Sequence, residues 1–391
     1  MQVGSYFEIT QHEPSAQVRL GVLHTAHGAL ETPAFLPLAS QGSVPSLTPD
    51  DLVHIGVQAL SADAFHLACR PGVSTIAALG GLHRFMGWSG ILFTYFRDTW
   101  GDYDDRDRGI LNGSGIESRR SHLQVAHRPR TLRVSDEALV LTSYVDGSPM
   151  RITPEHALET QRLLGADGVC ALGIPLLASA ERNRSSRTMR LATEWSGRTM
   201  AIPRWAQELR FADLRAFVSL GNGSFPHEEQ YDGYSFGPGR WGDERVLNDA
   251  RLASSCLPPG SPRHACAVRG PLDFAFAAAA GLDLIDSEAP MLDARRAILY
   301  TAQGPLVLSD PRFREEFEPI EVSCTCPACT GFSRAYLHSL FVAEELLGSH
   351  LATLHNLAFM VRLGAEVREA IAARMLDSTL RNLTRNWWAE G

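Results

Sequence analysis

The sequence predicts a (β/α)8 barrel, and three observations lead there. Eight short apolar runs recur over about 300 residues, each followed by turn residues and a helix-like pattern. The runs are apolar through their middles, as strands of a parallel sheet are when helices cover both faces. Two of the following segments open with the same device, Thr48-Pro49 and Thr153-Pro154. A threonine there caps the helix, and proline's fixed φ and missing N–H suit a first turn. An open, doubly wound sheet is the competing arrangement. Against it, no glycine-rich dinucleotide fingerprint occurs: GGLHRFMGW (80–88) puts bulky residues where a phosphate cradle needs bare backbone.

In chain order, an extended N-terminal segment leads to AFLPLAS (34–40) and the helix start TPDDLVHIG. VQALSADAFHL (57–67) is the second run and ALVLTSYVDG (138–147) the third, preceding TPEHALETQRLLG. GVCALGIP (168–175), LRAFVSLGNG (214–223), YDGYSFG (231–237), HACAVRG (264–270) and LDLIDSEAP (282–290) complete the set. Helix-like SRTMRLATEWSGRTM and PLDFAFAAAAG lie between some of them. The barrel is expected over 1–315 and a helical subdomain over 316–391. That last part reads as two or three amphipathic helices, with Gly348 and Gly364 as breaks and Trp387-Trp388 needing a surface to cover them.

Composition narrows the class. Hydrophobic content of 45% and charged content of 20% over 391 residues describe a well-packed globule. No apolar run approaches the roughly 18 residues of a membrane span. The start MQVGSYFEITQHEPS lacks the basic-then-apolar order of a secretory signal, so a cytoplasmic location is expected. Seven cysteines, an odd count, argue against a secreted disulfide framework. A net charge of −8 argues against a broad nucleic-acid-binding coat. It leaves room for a local patch: Arg106, Arg108, Arg119, Arg120, Arg128, Arg130 and Arg133 cluster behind four aspartates within 102–133. That stretch is either a solvated excursion or a phosphate-contacting surface.

Three of the cysteines crowd into SCTCPACTG (323–331). Cys324, Cys326 and Cys329 present soft thiolates from one turn, with Pro327 stiffening it. A borderline-soft tetrahedral ion wants a fourth ligand. His355 is the best placed; His338 and His350 compete, and Asn356 is a candidate outer partner. Four protein ligands leave no open position, so the expected ion, one Zn2+ per chain ahead of iron, is structural. Three reduced, buried cysteines are the plainer alternative.

Strand ends of a barrel carry its function, which singles out Asp63, His66, Asn222, Arg269 and Asp286. Asp286, closing LDLID, is either a nucleophile toward an electrophilic carbon or an acceptor of backbone hydrogen bonds. Asp283, earlier in that run and read as sharing its face, is the weaker candidate. Asp63 and His66 either orient a substrate or bond to each other locally. His27 reads as a turn-packing histidine. Tyr95 and Phe96, ending ILFTYF, either stack on a base or fill the mouth.

These residues and their surroundings resemble the queuine/archaeosine tRNA-guanine transglycosylase family. The matching pieces, in the family's order, are HGALETPAFLPL (27–38), LTPDDL (47–52), FHLACRPG (65–72), GGLHRFMGW (80–88), SYVDGSPMRITPE with LGAD (143–167), YDGYSFG (231–237), GLDLIDSEAP (281–290) and CTCPACTGFSRAYLHSLF…HN (324–356). The resemblance implies a (β/α)8 barrel with a C-terminal zinc subdomain held by Cys324, Cys326, Cys329 and His355. It implies exchange of a tRNA guanine for a 7-deazaguanine through a covalent ribosyl intermediate, with Asp286 as nucleophile. It further implies tRNA as partner and pairing of subunits, as a homodimer or with an active transglycosylase.

Around the base the family pattern is broken. The general acid/base Asp of its T-D-S-G-G stretch falls on Tyr95, and the small residues after it become bulky, Phe96 and Arg97 among them. A second, base-recognising Asp falls on Gly173. The pocket Gln falls on Gly221 beside Asn222, a Gly-Gly becomes Gly237-Pro238, and a Thr-Arg becomes Met291-Leu292. With Asp63, His66 and Arg269 these positions make up the expected substrate pocket. A guanine edge demands acceptors, and a buried donor left unpaired costs on the order of 1–3 kcal/mol. The expectation is therefore a divergent or accessory paralogue; an active enzyme with changed base specificity is the alternative.

Overall fold

The structure, a computed structural model, describes residues 6–12, 17–96, 131–174, 182–205, 208–214, 231–237 and 244–388. An antiparallel sheet of β1 (Phe7–His12), β2 (Arg19–Thr25) and β3 (Gly28–Thr32) comes first. The barrel strands β4 (Ala34–Pro37), β5 (Ala59–Asp63) and β6 (Ile91–Tyr95) follow. A second antiparallel sheet, β7 (Thr131–Val134), β8 (Leu139–Thr142) and β9 (Pro149–Ile152), interrupts them. The barrel resumes with β10 (Gly168–Cys170), β11 (Leu209–Asp213), β12 (Gly233–Phe236), β13 (Arg263–Ala265) and β14 (Leu284–Ser287). A hairpin, β15 (Ile298–Thr301) and β16 (Gly304–Val307), ends the strands.

Each barrel strand pairs in parallel with its neighbour in the chain, and β14 pairs with β4 with Asp286 beside Leu36. A Leu38–Ser61 bridge joins β4 to β5, so the ring of eight closes. The (β/α)8 barrel holds, and the open sheet falls away. Its interior is packed rather than hollow. A Cβ on Gly168 would lie 2.2 Å from the Phe93 ring, and one on Gly233 would lie 2.3 Å from Phe211. Those glycines make room for two rings that meet edge to face at 5.7 Å.

The third strand is a correction. It is β6; the expected run 138–147 contributes β8 to the antiparallel sheet instead. Burial explains the difference. Leu139 and Leu141 are buried while Val140 and Thr142 are half-exposed, whereas all of ILFTY is buried. One-sided alternation belongs to a sheet with a single packed face. The fifth strand, β11, ends just before the expected run 214–223, of which 215–223 lies outside the described residues.

Helices α1 (Pro49–His54), α2 (Ala64–Cys69), α3 (Val73–Ala78) and α4 (Leu82–Met86) precede β6, and α5 (Pro154–Leu164) and α6 (Arg182–Met200) flank β10. Then come α7 (Glu244–Cys256), α8 (Pro271–Ala279) and α9 (Ala289–Arg295). Both Thr-Pro starts behave as read: Thr48 exchanges bonds with Asp51 at 3.2 and 2.9 Å, and the Thr153 hydroxyl accepts from His156 N at 3.1 Å. The C-terminal helices are α10 (Pro327–Gly331), α11 (Arg334–Val342), α12 (Leu346–Ala372) and α13 (Leu376–Trp388). Gly348 and Gly364 lie inside α12, not at breaks; the chain turns at 343–345 and 373–375 instead. A Cβ on Gly348 would stand 3.2 Å from Leu340, and one on Gly364 would stand 3.7 Å from Phe274. Gly348 is a notch for α11, while at Gly364 a methyl would meet only ordinary contacts.

Helix α12 serves two apolar clusters. Leu357, Met360, Leu363 and Val367 join the barrel core. Leu351 and Ala352 join a smaller cluster with the three cysteines, Leu299, Leu306 and Phe313. Trp387 packs on the rings of Tyr300 and Phe359 at 5.2 and 6.0 Å. Among the described residues no helix is long and apolar enough to cross a membrane.

At the amino end of the barrel Asp167 accepts from Leu92 N at 2.9 Å and from His27 Nδ1 at 2.7 Å, with His83 Nε2 at 3.5 Å. The two imidazoles stack at 3.8 Å, so His27 does more than pack a turn. Burial pushes the Asp167 carboxyl up, but the bonds from His83, His27 and Leu92 outweigh it and hold the group below its usual value. A carboxylate depressed by folding adds stability above its unfolded pKa, near 3.9, and loses it as pH falls through the folded value. Asp167→Asn is expected to cost about 1–3 kcal/mol at neutral pH. Urea melts between pH 2 and 7 should also show a flatter acid limb than wild type.

Candidate functional site

The C-terminal cluster assembles from three elements. Cys324 and Cys326 lie ahead of α10, Cys329 on it, and His355 in the middle of α12, all buried. His355 Nε2–H donates to the Tyr300 carbonyl at 2.7 Å, which leaves the Nδ1 lone pair facing the sulfurs. Nδ1 lies 3.8, 3.7 and 3.3 Å from the sulfurs of Cys324, Cys326 and Cys329. Edges of about 3.5 Å are what bonds of roughly 2.3 Å to sulfur and 2.0 Å to nitrogen give in a tetrahedron. The residues therefore fit a metal, and with four protein ligands the site is closed. Hydrogen bonding among the three sulfurs pulls the Cys324 thiol well down and pushes that of Cys329 well up.

The competing histidines are engaged elsewhere: His338 Nδ1 bonds to the Leu308 carbonyl at 2.7 Å and His350 Nδ1 to that of Ser46 at 2.8 Å. Asn356 binds no ligand but grips the same strand as His355. Its Oδ1 accepts from Tyr300 N at 2.9 Å, and its amide donates to the carbonyls of Ile298 and Pro290 at 2.9 and 3.0 Å.

The second cluster sits at the barrel mouth. Asp286, on β14, is fully buried, and both carboxylate oxygens are taken. Oδ1 accepts from Ala267 N at 2.7 Å and Oδ2 from His264 Nε2 at 2.9 Å. Across the ring, His264 Nδ1 is 3.1 Å from Ser235 Oγ and 3.5 Å from Cys266 Sγ. Strand pairing explains the meeting: Ser235 sits beside His264 on β12 and β13, and His264 beside Leu284 on β14, with Asp286 two residues further on. Burial, then the negative charge of Asp286, pushes the Cys266 thiol well up, so it stays protonated. His264, Ser235 and Cys266 escaped the sequence reading; polar residues inside otherwise apolar strands were the available signal.

Asp283 does not share the face of Asp286. An offset of three residues turns it to the other side of the strand, where it pairs with buried Arg19, Nε to Oδ1 at 3.0 Å.

The family model for queuine tRNA-ribosyltransferase matches residues 15–389. The chain belongs to the queuine tRNA-ribosyltransferase family. It is 34% identical over 386 residues to a queuine tRNA-ribosyltransferase of Syntrophobacter fumaroxidans, covering 96% of each chain. A protein of the same name from Solidesulfovibrio magneticus is 34% identical over 90% of each chain. One from Thiobacillus denitrificans is 32% identical over 91% of this chain and 92% of the relative.

Within this queuine tRNA-ribosyltransferase fold, Tyr95, Gly173, Asp63, His66 and Arg269 of the expected pocket have definite places. Tyr95 ends β6 beside Asp63 of β5, is 2% exposed, and its ring lies 5.9 Å from that of His264. Gly173, buried just past β10, offers no side-chain acceptor. Asp63 caps α2, accepting from Phe65 N at 2.9 Å, and bonds to His66 Nδ1 at 2.7 Å, which is the local bond weighed from sequence. Arg269, whose N–H donates to Asp273 at 3.2 Å, leaves the turn after β13. Asn222 and Pro238, with Gly221 and nearly all of 102–133, lie outside the described residues.

Proposed function

We propose that this chain is a divergent tRNA-guanine transglycosylase-like protein, linked to queuosine and 7-deazaguanine modification, that acts as an accessory partner rather than by standard guanine exchange. The observation that carries the reading is the pair Tyr95 and Gly173. They stand where an acid/base carboxylate and a base-recognising carboxylate are expected, one bulky and buried and the other without a side chain. A guanine seated there would lose two acceptors, at about 1–3 kcal/mol for each donor left unpaired. The natural partner is an active homologue, with tRNA shared between the two chains; a homodimer is the simpler arrangement. The Cys324, Cys326, Cys329 and His355 set would hold one structural zinc, the ion its soft, closed donor set suits best. A barrel over 1–315 with a zinc-binding helical unit over 316–391, in the cytoplasm, is the matching organisation.

One observation favours a second reading. Asp286 is kept at a strand end, with two donors fixing its orientation. An active enzyme of altered base specificity would use it to attack C1′ of a nucleotide. The C1′–N bond would break, its electron pair leaving with the base, and an incoming base would displace the carboxylate.

Covalent trapping separates the two. The protein is incubated with tRNA and a 7-deazaguanine base and resolved under denaturing conditions. No adduct, together with co-purification of an active homologue, is the expected result. An adduct lost in Asp286→Asn would overturn the accessory reading.

A further inference from the structure

We propose that His264 is a positioning residue that holds Asp286 as a buried anchor of the barrel mouth, so that the carboxylate now serves the fold instead of a substrate. The proposal rests on the accessory reading above and deepens it.

The geometry is a continuous chain of hydrogen bonds. Ser235 Oγ, His264, Asp286 and Ala267 N link β12, β13, the turn after β13 and β14 through contacts of 3.1, 2.9 and 2.7 Å. Its side chains are at most 5% exposed. Proton placement follows from the partners. A carboxylate oxygen accepts, which sets the ring proton on the Nε2 that faces Asp286 and leaves Nδ1 to accept from the Ser235 hydroxyl or the Cys266 thiol. Each carboxylate oxygen already has a donor from the protein itself. The group is fully buried, so a ribose carbon could reach it only if what covers it moved.

Asp286 also controls the backbone above it. Ala267 sits at φ +53, a left-handed conformation that side chains other than glycine adopt at a cost. Its N–H goes to Asp286 Oδ1, and the next N–H, of Val268, donates to the Asp286 carbonyl at 3.0 Å. The Ser287 hydroxyl donates to the Val268 carbonyl. A strained turn pinned this thoroughly is what a structural anchor produces. A metal explains the cluster less well, although His264, Cys266 and Asp286 are all possible ligands. The three ligand atoms lie within 4.8 Å of one another, but Asp286 approaches Nε2 whereas Cys266 approaches Nδ1, so each already uses a different ring nitrogen.

The test is a stability cycle on the full-length protein by urea denaturation, using Asp286→Asn, His264→Leu and the double variant. Asparagine must turn an N–H toward either Ala267 N–H or the proton-bearing Nε2 of His264, and leucine keeps bulk without a donor. Each single variant is expected to lower the midpoint, and the double variant to fall no lower than the worse single. His264→Gln, which restores an N–H donor, should recover most of the loss. Additive effects, or an Asp286→Asn midpoint at or above wild type, as for a nucleophile kept at the expense of stability, would overturn the proposal.

Should the single variants fail to fold, wild-type protein treated with a carbodiimide and an amine, then mapped by peptide mass spectrometry, gives a second readout. Asp286 should label only after unfolding; labelling in the native state would overturn the proposal. So would a second equivalent of metal that disappears in His264→Leu. An adduct at Asp286 in the trapping assay would sink the accessory reading and, with it, the claim that the carboxylate no longer serves a substrate, whatever the coupling. No adduct and no coupling would sink this proposal alone.

Discussion

Cys326→Ser is expected to reduce bound metal from about one ion per chain to nearly none, measured by elemental analysis, and to unfold one part of the molecule. Zinc held by a closed thiolate and imidazole set contributes on the order of 10 kcal/mol to folding in small zinc domains. The cluster around Cys324, Cys326 and Cys329 is small, and the sulfurs are among its central members. With the ion gone, two sulfurs, a serine hydroxyl and an imidazole are left buried around nothing that binds them. Amide exchange should therefore rise through 316–345, across α10 and α11. The barrel strands should stay protected, and so should α12 from Leu357 onward, because that half of the helix belongs to the main core. A chelator should reproduce the pattern in the wild-type chain. Unchanged metal content in the variant would show that the ligand set is wrong.

Asp283→Asn is expected to destabilise the barrel by about 3–5 kcal/mol, the usual cost of leaving one member of a buried ion pair alone. Arg19 is 2% exposed and Asp283 fully buried. Arg19 also donates to the carbonyls of Pro259 and Ser261, while Asp283 accepts from Arg263 N at 2.7 Å. Arg263 sharpens the effect. Burial and the nearby Arg19 charge push its guanidinium down to about 10, with Asp283 opposing them. Removing the carboxylate leaves two buried cations facing each other without a counter-charge. Against a total stability of about 5–15 kcal/mol the loss is large. Urea melts at pH 7 measure it. Replacing both Arg19 and Asp283 by apolar residues of similar bulk should cost less than Asp283→Asn, since one buried cation, Arg263, is then stranded instead of two.

What was legible in the sequence is what local chemistry decides. The Thr48 and Thr153 helix starts depend on residues within one turn, and both form as read. The clustered cysteines needed only one distant partner, and His355 supplies the nitrogen that faces them. The third strand was misplaced because ALVLT and ILFTY are similarly apolar, and only burial of alternate residues tells them apart. Gly348 and Gly364 read as breaks because a sequence shows a missing side chain, not the long helix around them or the Leu340 that crowds Gly348. His264 stayed hidden for the same reason: its partner is 22 residues away and is revealed by strand register.

Adjacent residues of α12 clasp opposite sides of one residue: His355 takes the carbonyl of Tyr300, and Asn356 its amide. Inserting or deleting a single amino acid in the helix ahead of them would swing both about 100° around its axis. The ligand and the strand lock would be lost together. Drift in this lineage can thus rewrite the rim of the barrel one position at a time, while the length of this helix is frozen.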